Sequence, residues 1–263
     1  MIPGDPEPVT LLNPEGGGPF VLLCEHASNA IPARLGTLGL PASELARHIA
    51  WDIGAAALAR RLSALLDAPA VLSGASRLVI DLNRPPGAPT SIPVRSESTD
   101  IPGNLNVDPA ERAAREAAWF HPFHDAVTAL LDSRVAAGRP TRVIGVHSFT
   151  PVFTGIARPW HAGVLYDGAK SFARELIAAL ARQPALVVGD NEPYRIEPDV
   201  HDYTVPVHGD RRGLEAVLIE VRQDLLADAA GIEAWAVRLR DALTAAADGG
   251  RPTLPRHSST GEG

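Results

Sequence analysis

Short runs of consecutive apolar residues alternate along this chain with longer stretches that carry apolar side chains at helical spacing. The runs are Phe20–Cys24, Ala70–Ser73, Leu78–Leu82, Arg142–His147, Gly163–Tyr166, Leu186–Gly189 and Ala216–Arg222. The helical stretches cover roughly residues 43–66, 109–137, 169–182 and 231–246. A strand that is apolar at consecutive positions has no solvent face, so such strands belong to a sheet covered on both sides. Strands of that kind separated by helices predict an α/β fold: a three-layer sandwich with a mixed, mostly parallel sheet and helices on both faces.

Two long segments, 83–108 and 190–214, break the alternation; they are polar, contain Pro and Gly, and have no period. Loops of that length in a compact domain usually carry function, and both follow strand patterns, so they are expected to wall an active site. The Pro- and Gly-rich residues 1–18 read as a flexible leader and residues 249–263 as a disordered tail, leaving 19–248 as a single catalytic domain. At 263 residues the chain is long enough for one large core.

Composition narrows the function. A net charge of −7 without a Lys/Arg-rich stretch argues against nucleic-acid binding, which needs clustered cations. Cys24 is the sole cysteine, so an intrachain disulfide and a multi-cysteine zinc site are both excluded. The first residues lack the basic and apolar regions of a signal peptide, so none is expected, and no apolar run approaches the ~18 residues of a membrane span. The expectation is a cytoplasmic protein acting on a small molecule, with an oligomeric state that the sequence does not reveal.

In open α/β sheets, ligands bind beyond the carboxyl ends of the strands. Phe20–Cys24 ends in Glu25-His26, Leu78–Leu82 carries Asp81 and ends in Asn83-Arg84, and Arg142–His147 runs into Ser148. Histidines at the ends of two separate strands are the pattern of a metal site assembled from scattered elements, although a lone histidine there can equally be a hydrogen-bonded loop residue. Asp52 falls on the inward stripe of a helix that starts near Ser43, an expensive place for an unpaired carboxylate. It is therefore the third-ligand candidate, unless it caps or pairs locally. Glu220 interrupts the apolar run Val217-Leu218-Ile219-Glu220-Val221-Arg222, on one face with Leu218 and Arg222. Burial raises a carboxyl pKa toward neutrality, which suits proton shuttling; the alternative is a structural ion pair with Arg222.

Several catalytic motifs are missing: Gly-x-Ser-x-Gly, His-Glu-x-x-His, a Walker loop and Gly-x-Gly-x-x-Gly after a strand. His121 and His124 lie in Trp119-Phe120-His121-Pro122-Phe123-His124, where the proline and aromatics point to a packed kink rather than a ligand pair.

The segments Cys24-Glu25-His26-Ala27-Ser28-Asn29-Ala30-Ile31-Pro32, Trp51-Asp52-Ile53-Gly54, Ser76-Arg77-Leu78-Val79-Ile80-Asp81-Leu82-Asn83-Arg84 and Gly145-Val146-His147-Ser148-Phe149 resemble the N-formylglutamate amidohydrolase family. Gly189-Asp190-Asn191-Glu192-Pro193-Tyr194 and Ile219-Glu220-Val221-Arg222-Gln223-Asp224-Leu225 extend the resemblance, which covers roughly residues 19–245 in order. It implies a phosphorylase/hydrolase-like fold related to zinc exopeptidase-like enzymes, including N-acetylmuramoyl-L-alanine amidases. By that likeness His26, Asp52 and His147 would hold one zinc per chain, and Glu220 would be the catalytic carboxylate. Carboxypeptidase-like relatives use His-x-x-Glu for the first two ligands, and here Asn29 stands at that position, which leaves the carboxylate ligand open between Asp52 and Glu25. Glu25, Ser148 and His208 remain as alternative ligands or supporting residues.

The implied reaction is hydrolysis of the formyl or other acyl amide of an N-acyl amino acid such as N-formyl-L-glutamate. Arg77, Asn83, Arg84 and Arg222 are the expected substrate contacts, because a planar guanidinium grips a carboxylate bidentately. Two other readings stay open: a hydrolase using Ser148 or Cys24 as nucleophile, and a binding protein that kept the pocket without turnover.

Overall fold

The protein is described by a computed structural model covering residues 5–198 and 201–249. In chain order the strands are β1 (Val9–Leu12), β2 (Phe20–Cys24), β3 (Ala70–Ser73), β4 (Arg95–Ser96), β5 (Thr99–Asp100), β6 (Arg142–Phe149), β7 (Val152–Phe153), β8 (Ile156–Ala157), β9 (Ala162–Leu165), β10 (Val188–Asp190) and β11 (Ala216–Arg222). The helices are α1 (Ala42–Leu45), α2 (Ala55–Leu66), α3 (Pro109–Arg115), α4 (His121–Ala136), α5 (Lys170–Ala181) and α6 (Ala229–Gly249).

Seven strands form one sheet in the order β1-β3-β2-β6-β11-β9-β10. β3, β2, β6 and β11 run parallel, whereas β1 and β9 pair antiparallel with β3 and β11. Every residue of β2, and all of β6 after Arg142, is buried, which is why their sequences read as unbroken apolar runs rather than alternating ones. Helices α2, α5 and α6 cover one face with a core that includes Leu58, Leu62, Phe172, Leu176, Trp235 and Leu239. Trp119, Phe120, Phe123, Val127 and Leu131, from α4 and the π-helical turn 116–120 before it, cover the other. This is the expected three-layer sandwich with a mixed, mostly parallel sheet.

The structure differs from the pattern-based expectation in three places. The stretch 43–66 is not one helix: α1 ends at Leu45 and α2 begins at Ala55. Gly54 fixes where α2 begins, since it sits at φ +83° and a Cβ there would approach Leu226 Cβ to 2.5 Å, so only glycine fits. Asp52 therefore lies in the turn before α2, not on a helical face.

The apolar run Leu78–Leu82 is buried but is no strand. Its carbonyls bond to side chains instead of a neighbouring strand: Asn104 Nδ2 donates to Leu78 O, Arg115 Nη1 to Val79 O, and a ring nitrogen of His124 meets Leu82 O at 2.8 Å. Lastly, Val9–Leu12, within the segment expected as a flexible leader, forms the edge strand β1, paired residue for residue with β3. Residues 250–263 of the expected tail lie outside the described residues. No helix among the described residues is long and apolar enough to cross a membrane.

Candidate functional site

β2, β6 and β11 are parallel neighbours, so their carboxyl ends open on the same side of the sheet. Glu25 and His26 follow β2 directly, His147 and Ser148 lie in the last turns of β6, and Glu220 stands opposite His147 in the β6–β11 register. The turn before α2 brings Asp52 to the same place, its backbone N–H bonded to His26 O at 3.0 Å.

Asp52 Oδ2 is the centre of the cluster. His147 Nδ1 lies 2.8 Å from it and His26 Nδ1 3.3 Å from it. The opposite ring nitrogens face two further carboxylates: His26 Nε2 is 2.8 Å from Asp81 Oδ1, and His147 Nε2 is 3.1 Å from Glu25 Oε2. The second contact is an ion pair without hydrogen-bond alignment, which leaves both of its atoms buried and unsatisfied. Thr204 donates its hydroxyl to the other Glu25 oxygen. Arg77 closes the ring, with Nη2 at 2.7 Å from Asp81 Oδ2 and Nη1 at 3.4 Å from Asp52 Oδ1.

Burial opposes charge on all of these groups, yet mutual pairing overrides it. Burial alone would raise Asp81, but Arg77 and then His26 hold its carboxyl well below the usual range. Glu25 is pushed up by burial and pulled down to about 2 by His147 and Thr204. Burial lowers the affinity of His147 for a proton, whereas Asp52 and Glu25 raise its pKa well above normal. His26 shows the same balance, burial and Arg77 against Asp81 and Asp52, with a net rise.

Glu220 behaves differently. Burial raises it to about 7, the opposing pull of His147 being partly offset by Asp52. Its Oε2 has no hydrogen-bond partner among the described residues.

The donor set fits a divalent cation. With both imidazoles neutral, the carboxylates of Glu25, Asp52 and Asp81 against the single guanidinium of Arg77 leave two negative charges in a buried space. His26, Asp52 and His147 each offer a ligand atom, all within 4.8 Å of one another. The contacts of Glu25 and Asp81 with the far ring nitrogens are those that orient metal-bound histidines.

A cavity of about 500 Å³ opens over the cluster, bounded by both long polar segments: Arg84, Thr90 and Pro93 on one side, Tyr194, Glu197 and His201 on the other. Asn83 joins these walls: its Oδ1 accepts from the backbone N–H of Tyr203 (3.1 Å) and Thr204 (2.9 Å), and its Nδ2 donates to Asp202. Arg84 donates to the Asn83 and His201 carbonyls and has no carboxylate partner among the described residues. Arg222, by contrast, pairs with Asp224 at 2.8 Å and does not line the cavity.

Ser148 ties β6 to the Asp52 turn by donating its hydroxyl to Ile53 O at 2.7 Å. His208 also stays out of the cavity, stacked on His124 with their ring nitrogens 2.8 Å apart. His121-Pro122-Phe123-His124 forms the start of α4, and His124 packs against Phe120 and Tyr203.

Asp81 had no role assigned from the sequence, although it is the residue that links His26 to Arg77. Its carboxylate in an apolar run was the available signal. Nothing in the sequence pointed to Thr204 or Arg158.

A model of the family N-formylglutamate amidohydrolase matches residues 18–227. Among solved structures, a gene product from Agrobacterium tumefaciens is 43% identical, with a TM-score of 0.88, over 92% of this chain and 95% of that one. The N-formylglutamate amidohydrolase from Ralstonia eutropha JMP134 shares the fold at 17% identity, with a TM-score of 0.66, over 92% of this chain and 98% of its own. No curated protein matches the chain.

Proposed function

Because the chain belongs to the N-formylglutamate amidohydrolase family, we propose that it hydrolyses the amide bond of an N-acyl amino acid at a zinc centre held by His26, Asp52 and His147. N-formyl-L-glutamate is the first substrate to test. The observation that carries this reading is the convergence of three buried ligand atoms within 4.8 Å, beside Glu220, whose carboxyl is raised to about 7 and whose Oε2 has no hydrogen-bond partner among the described residues.

Two imidazoles and one carboxylate suit zinc better than magnesium or calcium, which prefer all-oxygen sites. When bound, zinc supplies Lewis acidity to the scissile carbonyl and to the attacking water. The protein's own groups do the rest. Asp81 and Glu25 fix the two imidazoles so that their Nδ1 atoms face Asp52. Glu220, whose carboxyl is raised toward neutrality by burial in the metal-free protein, accepts a proton from water and passes it to the leaving amine nitrogen.

Of the guanidinia lining the cavity, Arg77 is held by Asp81 and Asp52, whereas Arg84 and Arg195 have no carboxylate partner among the described residues; Arg84, next to the Asp81–Asn83 turn, is the first candidate for a substrate carboxylate. A nucleophile mechanism finds no activated group: the Ser148 proton goes to Ile53 O. Cys24 is fully buried, and burial, its largest influence, raises its thiol pKa.

The test is elemental analysis of protein purified without chelator, paired with turnover of N-formyl and N-acyl amino acids before and after chelation. About one zinc per chain and loss of activity on its removal are expected. Full activity in metal-free protein overturns the reading.

A further inference from the structure

Arg158 follows the β7–β8 hairpin and is almost wholly buried, although it forms no ion pair among the described residues. Its guanidinium carbon lies 4.6 Å from the Phe153 ring centre, 4.7 Å from that of Tyr194 and 5.8 Å from that of Phe149. Three aromatic faces hold it by cation–π attraction in place of a carboxylate. Its one side-chain hydrogen bond among the described residues runs from Nη1 to the Tyr194 hydroxyl oxygen at 2.9 Å.

That bond decides what Tyr194 can do. A phenol accepting from a permanently charged guanidinium has one lone pair engaged and its own proton free. Among the described residues nothing accepts that proton, and Tyr194 lines the cavity. The placement is built into the sheet. Gly163 stands opposite Glu220 in the β9–β11 register, and a Cβ at Gly163 would lie 1.8 Å from Glu192 O. The missing side chain lets the 192–194 turn lie against the strand beside Glu220. Tyr194 lines the same cavity as Glu220 and Arg77; burial and then the Glu220 charge raise its pKa, with Arg158 and Arg77 opposing. The net rise keeps it protonated, hence a donor, at neutral pH.

Resting on the amidohydrolase reading above, we propose that Tyr194 is a catalytic residue that donates its O–H to the carbonyl oxygen of the scissile amide, and that Arg158 is the positioning residue that aims it. As the water oxygen bonds to the carbonyl carbon, the C=O π pair moves onto oxygen, and the Tyr194 hydrogen bond strengthens with the charge that develops there. Tyr194 gives up no proton. The pair returns when the C–N bond breaks, and the amine nitrogen receives its proton through Glu220. A donor placed for the charge of the transition state stabilises it more than the ground state.

Tyr194→Phe keeps the ring over Arg158 and removes only the hydroxyl. With N-formyl-L-glutamate, kcat and kcat/KM of the zinc-loaded variant are expected to fall together by roughly 10²–10³-fold, as for loss of one oxyanion donor. Bound zinc stays at the wild-type value, and the melting temperature falls only modestly, because Arg158 loses its hydrogen-bond acceptor but keeps the ring beneath it. Arg158→Met also lowers kcat, and the double variant loses no more than Tyr194→Phe alone, because the two act as a unit. A Tyr194→Phe enzyme with kcat within about twofold of wild type, or one that changes KM alone, overturns the proposal. Wild-type protein that turns over no N-formyl or N-acyl amino acid removes the amidohydrolase reading and this one with it. Active wild type with an unaffected Tyr194→Phe removes this one only.

Discussion

Replacing Glu220 with glutamine separates a catalytic carboxyl from a structural one, because the two roles predict opposite effects on stability. Glu220 titrates at about 7 in the folded protein against an ordinary 4.5, with burial as the main cause. Between those values the native state binds a proton that the unfolded chain releases, so its contribution to stability falls as pH rises through the window. Raising this carboxyl from 4.5 to about 7 corresponds to about 3 kcal/mol of stability, fully present below pH 4.5 and lost above pH 7. Glutamine has the same shape and never ionises. In chelated, metal-free protein, Glu220→Gln is therefore expected to match wild type near pH 4.5 and to exceed it by up to about 3 kcal/mol at pH 8. Urea unfolding at a series of pH values reads the difference, and subtracting wild type removes the titrations that do not respond to Glu220, while His147, Asp52 and His26, which feel its charge, contribute to the difference along with it. In zinc-loaded protein the same variant should lose roughly 10²–10⁴-fold in kcat, the usual contribution of a general acid–base. A stability difference that does not change between pH 4.5 and 8, or a variant that is less stable yet catalytically intact, refutes the reasoning.

Three further outcomes follow from the same geometry. Asp81→Asn removes the charge behind His26 and Arg77, and should weaken zinc binding by about 10–100-fold in chelator competition; unchanged affinity would make Asp81 a mere partner of Arg77. Arg84→Ala should raise KM for acidic N-acyl amino acids about 10–100-fold with kcat nearly kept, the equivalent of roughly 1.5–3 kcal/mol for a charged hydrogen bond. An equal effect on substrates with neutral side chains would place the lost contact elsewhere. Gly54→Ala forces a side chain into a left-handed turn against Leu226, and should cost about 1–3 kcal/mol by thermal unfolding while also lowering kcat, since Asp52 sits on that turn.

The layered α/β fold, the central strands and the polar residues at their ends were legible in the sequence because each rests on local pattern. An unbroken apolar run such as Phe20–Cys24 has one favourable fate, burial on both faces, and parallel neighbours then deliver His26, His147 and Glu220 to one edge whatever the loops do. Only the tertiary structure decided how those residues pair. Asp52 meets His147 across 95 residues and His26 across 26, and it does so from a turn that exists because Leu226 packs against Gly54. The run Leu78–Leu82 has the apolar composition of a strand, yet side chains from Asn104, Arg115 and His124 take its carbonyls. Apolar runs specify burial, not which partner satisfies the backbone. Asp81, Thr204, Tyr194 and Arg158 owe their places in the site to such distant contacts, which no periodicity records.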